Sequence, residues 1–114
     1  MDKLVLTRNN DFRRIYARGK NQVHPILITY VMKNRKNAAK GVTRSGITAS
    51  KKIGKAVKRN RARRVIREAY RPLKENVAPG YDIIFVARVR TIYAKSTDVM
   101  HVMQRQLKQA GVLR

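Results

Sequence analysis

The sequence predicts an α+β fold: a single compact domain with elements in the order α-β-β-α-β-α and a small mixed sheet packed by helices. Three observations lead there. The chain has 114 residues, 43% of them hydrophobic, which supplies one core and suits one domain. Segments rich in β-branched and aromatic residues alternate with segments whose apolar residues recur at helical spacing. No long linker, internal repeat or low-complexity block divides residues 1–114. Such an order belongs to α+β or split βαβ domains.

The first helix is expected over residues 10–18. Asn9 or Asn10 can cap it, because a short side-chain oxygen accepts from free first-turn amides, and Asp11 places a negative charge at that end. Phe12, Ile15 and Tyr16 follow at helical spacing, and Gly19 is a natural stop. Residues 23–33 read as one strand, with Pro25 confining its start to an edge. Residues 34–41, NRKNAAKG, read as a polar loop. Residues 42–50 read as a second strand, so the two strands are expected to form a hairpin with a long loop. The basic stretch 51–72 follows, closed by Pro72, with an Ala-Pro-Gly turn at 78–80. Residues 81–89 form a nearly continuous apolar run of the kind buried on both faces. Ser96 or Thr97 begins a last helix with Asp98 in its first turn. Val99, Met103 and Leu107 lie on one of its faces, and Gly111 closes it.

Charge narrows the function more than the fold does. There are 28 Lys and Arg against six acids, a net charge of +22. A chain so basic repels itself unless a polyanion is present, and the common polyanion is nucleic acid. An anionic membrane is the other candidate, but no apolar run approaches the ~18 residues of a spanning helix, and no secretory pattern is read at the start. Without cysteine there is neither a disulfide framework nor a thiolate zinc site, which fits the cytoplasm. His24 and His101 are far apart and are expected at the surface without catalytic roles. Asp82 and Asp98 are too isolated for a two-carboxylate metal site. No nucleophile–base constellation appears, so no catalytic residue is assigned.

Ten of the 22 residues from Lys51 to Pro72 are Lys or Arg, yet the stretch is not a bare charge run. Turned at ~100° per residue, Ala62, Val65, Ile66 and Ala69 form one apolar stripe. Asn60, Arg61, Arg63, Arg64, Arg67 and Arg71 occupy the other side with Glu68, while Val57 falls on the basic side and Arg59 borders the stripe. The stripe can dock on a sheet and fix the arginines in place. A solvated helix face would instead alternate Glu with Lys at i,i+4 spacing. Arginine's planar fork suits phosphate and stacks on bases. A helix-turn-helix is disfavoured because the preceding segment is strand-like, and a basic zipper because Pro72 ends the helix. Recognition of RNA, with aromatics available for unpaired bases, fits better.

Within this stretch the order Ser-Lys-Lys-x-Gly-x-Ala-Val-x-Arg-Asn-Arg-x-(Arg/Lys)-Arg-x-x-Arg is met in full. Ser50, Lys51, Lys52, Gly54, Ala56, Val57, Arg59, Asn60, Arg61, Arg63, Arg64 and Arg67 supply it. It closely resembles the hallmark of the bacterial ribonuclease P protein family. NNDFRRIYARGK, ILITYV and YDIIFVAR resemble the family's first helix, first long strand and later strand, so the resemblance covers nearly the whole chain.

The resemblance implies a ribosomal-protein-like domain with a split or left-handed βαβ crossover. It implies a partnership with a large catalytic RNA that removes the 5′ leader of precursor tRNA and leaves a 5′-phosphate. Divalent metal, Mg²⁺, is then expected on the RNA, with no cofactor held by a protein motif, and the protein is expected as a monomer in a 1:1 complex. Carried over by position, Phe12, Tyr16 and Tyr30 form the aromatic part of a leader cleft. Arg59, Asn60, Arg63 and Arg67 flank it, and Lys51, Lys52, Arg61 and Arg64 face RNA, with Arg71 on the same basic face. Two rings keep a second reading: Phe12 as a core residue, and Tyr30, alternating with Ile28 and Met32, as sheet packing. A basic ribosomal or architectural nucleic-acid-binding protein is the alternative function. A self-sufficient nuclease lacks the carboxylate cluster it would need.

Overall fold

The computed structural model describes residues 5–114. Helix α1 (Asn9–Arg18) precedes a hairpin of β1 (Lys20–Val23) and β2 (Leu27–Lys33). A short helix α2 (Arg35–Lys40) leads to β3 (Arg44–Thr48), and a 3-10 turn (Lys51–Ile53) leads to the basic helix α3 (Ala56–Tyr70). Strand β4 (Tyr81–Ala87), a 3-10 turn (Val89–Tyr93) and helix α4 (Ser96–Gln109) complete the chain. The α+β class and the mixed sheet are as expected. The element order differs by one strand and one helix.

Both additions come from local chemistry. His24 and Leu27 exchange backbone hydrogen bonds at 3.0 and 3.2 Å, so Pro25 and Ile26 form a two-residue turn inside what read as one strand. His24 Nδ1 accepts from the Ile26 amide at 3.0 Å and helps hold that turn. The expected loop at 34–41 is a helix because Asn34 Oδ1 accepts from the amides of Lys36 and Asn37, while Gly41 closes it at φ 69°, a left-handed conformation that suits glycine. The cap expected on α1 is absent. Asn9 and Asn10 lie inside the helix, Arg8 holds the cap position, and no side chain bonds there.

The sheet order is β1-β2-β4-β3, with β4 antiparallel to β2 and parallel to β3. The expected hairpin of β2 with β3 therefore does not form, because β4 inserts between them. β3 and β4 are direct neighbours joined through α3, so this parallel βαβ unit is not split by an intervening strand.

Strand alternation sends two different surfaces to the two sides. Leu27, Val31, Ile83 and Phe85 pack against Ala62, Val65, Ile66 and Ala69 of α3 and against Val99, Met103 and Leu107 of α4. Buried Gln106 ties α4 to the hairpin, accepting from Thr29 Oγ1 at 2.7 Å and donating to the Gln22 and Leu27 carbonyls at 3.0 and 2.9 Å. On the other side a smaller cluster of Leu6, Ile15 and Ile84 seats α1, with Phe12, Tyr30, Met32 and Val86 half-buried around it. β4 is thus buried on both faces, as its apolar run predicts.

Candidate nucleic-acid interface

α3 is rich in Ala and Arg, which favour helix, but no acid stands in its first turn and no side chain caps it, so its position in the fold is set by burial. In its apolar stripe Ala62 and Ile66 are fully enclosed, Ala69 and Val65 nearly so, while Val57 stays on the exposed basic side. Burial of that stripe holds the five arginines of α3, and Arg71 at its end, on one scaffold. Lys51 and Lys52 are exposed on the 3-10 turn, which is anchored by buried Ile53. Asn60, Arg61, Arg64, Arg67 and Arg71 are exposed, and Arg59 and Arg63 are half-buried. Arg59 Nε is enclosed without a hydrogen-bond partner among the described residues.

The arginines divide between two flanks of the helix. Arg63 and Arg67 line a cavity of about 300 Å³ at the β3 edge with Leu6, Ser45, Gly46, Ile47, Tyr70, Lys74 and Phe85. Arg63 also reaches Asn60 Oδ1 at 3.4 Å. Burial pushes the Tyr70 phenol up to about 12, a hydrogen bond with Ser45 acting the other way, so its ring stays neutral beside these cations. On the other flank Arg61 Nε donates to the Ile92 carbonyl at 2.8 Å. Part of the Arg61 fork is therefore engaged within the protein, which the sequence did not indicate.

Phe12, Tyr16 and Tyr30 come together. The ring centroids of Phe12 and Tyr16 are 6.3 Å apart, and those of Tyr16 and Tyr30 are 5.0 Å apart, edge to face. Gly46 makes the first of these positions possible: a Cβ there would stand 2.9 Å from the Phe12 ring. Gly46 also lines the arginine cavity, so the ring cluster and the cavity meet at β3. Phe12 and Tyr30 are half-buried and Tyr16 is 38% exposed, so each ring combines packing with an open edge. Tyr16 Oη lies 2.7 Å from Thr48 Oγ1. Burial raises the Tyr16 phenol above its ordinary value, the Thr48 bond lowers it and Tyr30 raises it, so the ring is uncharged near neutrality. Beside the rings, register aligns Val23, Ile28, Val86 and Thr48 across the sheet, none of them fully buried. These four extend the surface and were not singled out by sequence, because they share a face only once β4 lies between β2 and β3.

α1 is held over this surface by Asp82, a fully buried carboxylate. Arg14 Nη2 and Asn34 Nδ2 donate to its Oδ2 at 3.0 and 2.8 Å, and Asn37 Nδ2 and Arg44 Nε donate to its Oδ1 at 2.8 and 3.0 Å. Arg44 Nη2 adds a contact at 3.2 Å, and Asp11 pairs with both arginines at 3.3 and 3.7 Å. Burial raises the Asp82 carboxyl, but the bonds from Arg44, Asn34 and Asn37 and the charge of Arg44 prevail and hold it below the usual range. Its oxygens are committed to these donors, and no group of three or more His, Cys, Asp or Glu suited to a metal occurs among the described residues. No described helix is long and apolar enough to cross a membrane.

Comparison with known proteins bears on what this surface serves. A family model described as Ribonuclease P matches residues 1–111. Curated relatives include the ribonuclease P protein component of Clostridioides difficile, 40% identical over 108 residues that cover 94% of this chain and 91% of the relative. That of Clostridium botulinum is 40% identical over 113 residues, 98% of each chain. Among solved structures, the RNase P protein of Staphylococcus aureus superposes with a TM-score of 0.83 at 30% identity, covering 99% of this chain and 100% of that one. The RNase P protein of Thermotoga maritima gives 0.76 at 27% identity, over 91% and 94% of the two chains.

Proposed function

The chain belongs to the ribonuclease P protein family, the protein component of a ribonucleoprotein endoribonuclease of tRNA processing, and from that premise we propose how its surface works. It binds the catalytic RNA through the basic face of α3 and holds the single-stranded 5′ leader of precursor tRNA against Phe12, Tyr16 and Tyr30. The phosphodiester is hydrolysed on the RNA, with Mg²⁺ held there. The complex is 1:1 and works in the cytoplasm.

The observation that carries this reading is the adjacency of two surfaces at β3: a ring cluster with open edges on one side, and Arg63, Arg67 and Lys74 around a cavity on the other. Rings of this kind accept bases of any sequence, because every base has a π-face. The arginines lower repulsion between two RNAs brought to one place. Lys51, Lys52, Asn60, Arg61, Arg64 and Arg71 extend the same field. What the protein contributes is positioning and charge, and it supplies no nucleophile.

The test is reconstitution. Mixed with a bacterial ribonuclease P RNA and labelled precursor tRNA at low magnesium, where the RNA alone is slow, the protein is expected to accelerate leader removal. Absence of stimulation overturns the proposal. The α3 assignment has its own measurement. Replacing Arg64 and Arg67 with alanine should weaken assembly and flatten the dependence of log K on log salt by about 0.7 for each lost phosphate contact. An unchanged slope refutes their role.

A further inference from the structure

Tyr93 is the most exposed aromatic residue among the described ones, at 72%. It ends the 3-10 turn Val89–Tyr93, outside the ring cluster on α1 and the sheet. Isolated exposed apolar residues are ordinary, but this ring stands on an unusually fixed base. Thr91 is fully buried, its Oγ1 donating to the Ile26 carbonyl at 2.5 Å and accepting from the Arg88 amide at 2.9 Å. Ile92 is buried in the main core, and its carbonyl is the acceptor for Arg61 Nε. The backbone that presents Tyr93 is therefore held from below and tied sideways to α3.

That tie sets the ring's surroundings. Arg61 is on the α3 flank facing the turn, with Arg64 three residues on and exposed Val57 four residues back, both within one helical turn. Arg90, three residues before Tyr93 in the same turn, and Lys95, two residues after it, are exposed. An exposed ring on a turn that carries Arg90 and binds Arg61 of α3, in a protein of net charge +22, fits a planar ligand carrying negative charge at its edges. Among macromolecules, an unpaired nucleotide of RNA has that chemistry.

We propose that Tyr93 is a second stacking platform, on the α3 flank away from the β3 edge, which holds one unpaired base of the catalytic RNA while Arg61 and its neighbours meet the adjoining phosphates. The inference rests on the RNA-binding reading above and adds a residue and a base contact to it. It makes the two flanks of α3 different in kind: the leader rings meet the arginine cavity on one, and an RNA anchor stands on the other.

The test separates failure of the inference from failure of the broader reading. Binding of the native protein to a bacterial ribonuclease P RNA is measured first, and no binding removes the broader reading. Given binding, Tyr93→Ala should weaken affinity about 5- to 150-fold, as loss of one stacked base does. Tyr93→Phe should bind like the native protein. The salt slope should be the same in all three, since stacking neutralises no phosphate, and the preference for precursor over mature tRNA should be unchanged. Because the chain has no tryptophan, Tyr93→Trp installs a single indole whose emission should be quenched when the RNA binds. Alanine affinity within twofold of native, or an indole unquenched at saturating RNA, overturns the inference and leaves Tyr93 to some other partner.

Discussion

Replacing Asp82 with alanine is expected to cost on the order of 3 kcal/mol of folding stability at neutral pH, the low end for a broken buried ion pair. The low end applies because Asp82 is fully enclosed while the side chains of Arg14 and Arg44 are 37% and 25% exposed and can partly rehydrate. Urea unfolding of the two proteins measures it, and a loss below about 1 kcal/mol would show that the five hydrogen bonds to this carboxylate contribute little net stability. The acid limb checks the same group independently. Its folded pKa is depressed, so its stabilisation is present above the unfolded value of about 3.9 and is lost as pH falls through the folded value. Native stability should therefore fall steeply below about pH 4, and Asp82→Asn should remove part of that fall. The effect reaches the proposed RNA-binding surface as well, since Arg14 is on α1 beside Phe12 and Tyr16. Loosening its anchor frees the helix that carries both rings.

Why Asp82 escaped the sequence, when α3 did not, is a matter of distance along the chain. The α3 stripe is periodic within 15 residues, so projection separates Ala62, Val65, Ile66 and Ala69 from the arginines without any tertiary knowledge. β4 and α4 are legible for the same reason. Asp82 stands alone in an apolar strand, and its partners lie 38 to 68 residues away. The sequence could say only that a buried acid must be paired, not with what. The β1–β2 turn and α2 were missed for a different reason. Pro25 reads as an edge marker but starts a two-residue turn, and Asn34 and Gly41, a cap and a stop, bound a helix of only six residues. The position of β4 between β2 and β3 depends on which strands bury most together, which no local pattern contains. The candidate RNA-contacting residues are legible on α3 through the motif and on α1 through the resemblance of NNDFRRIYARGK. The partly exposed positions of Val23, Ile28, Val86 and Tyr93 are not legible, because their exposure is decided by the packing of other elements.

Tyr16→Ala is expected to reduce the preference of the holoenzyme for precursor over mature tRNA by roughly 5- to 150-fold, the loss of about one stacked base. Tyr16 is the right residue to test because it is the most open of the three rings, 38% exposed, with its edge on Tyr30 at a centroid distance of 5.0 Å. Truncating it removes leader contact area at less cost to the core than truncating Phe12, which fills the space over Gly46. Tyr16→Phe separates the two things the side chain does. It keeps the ring and drops the bond to Thr48, so it should retain the preference if stacking matters, and lose it if the hydroxyl's position matters. Because burial holds the phenol above its ordinary value, the preference should also be flat between about pH 6 and 9, where the ring is neutral. Affinity for mature tRNA is the internal control, since it has no leader to hold. An equal fall for precursor and mature substrate would move Tyr16 out of the leader cleft and into general assembly with the RNA.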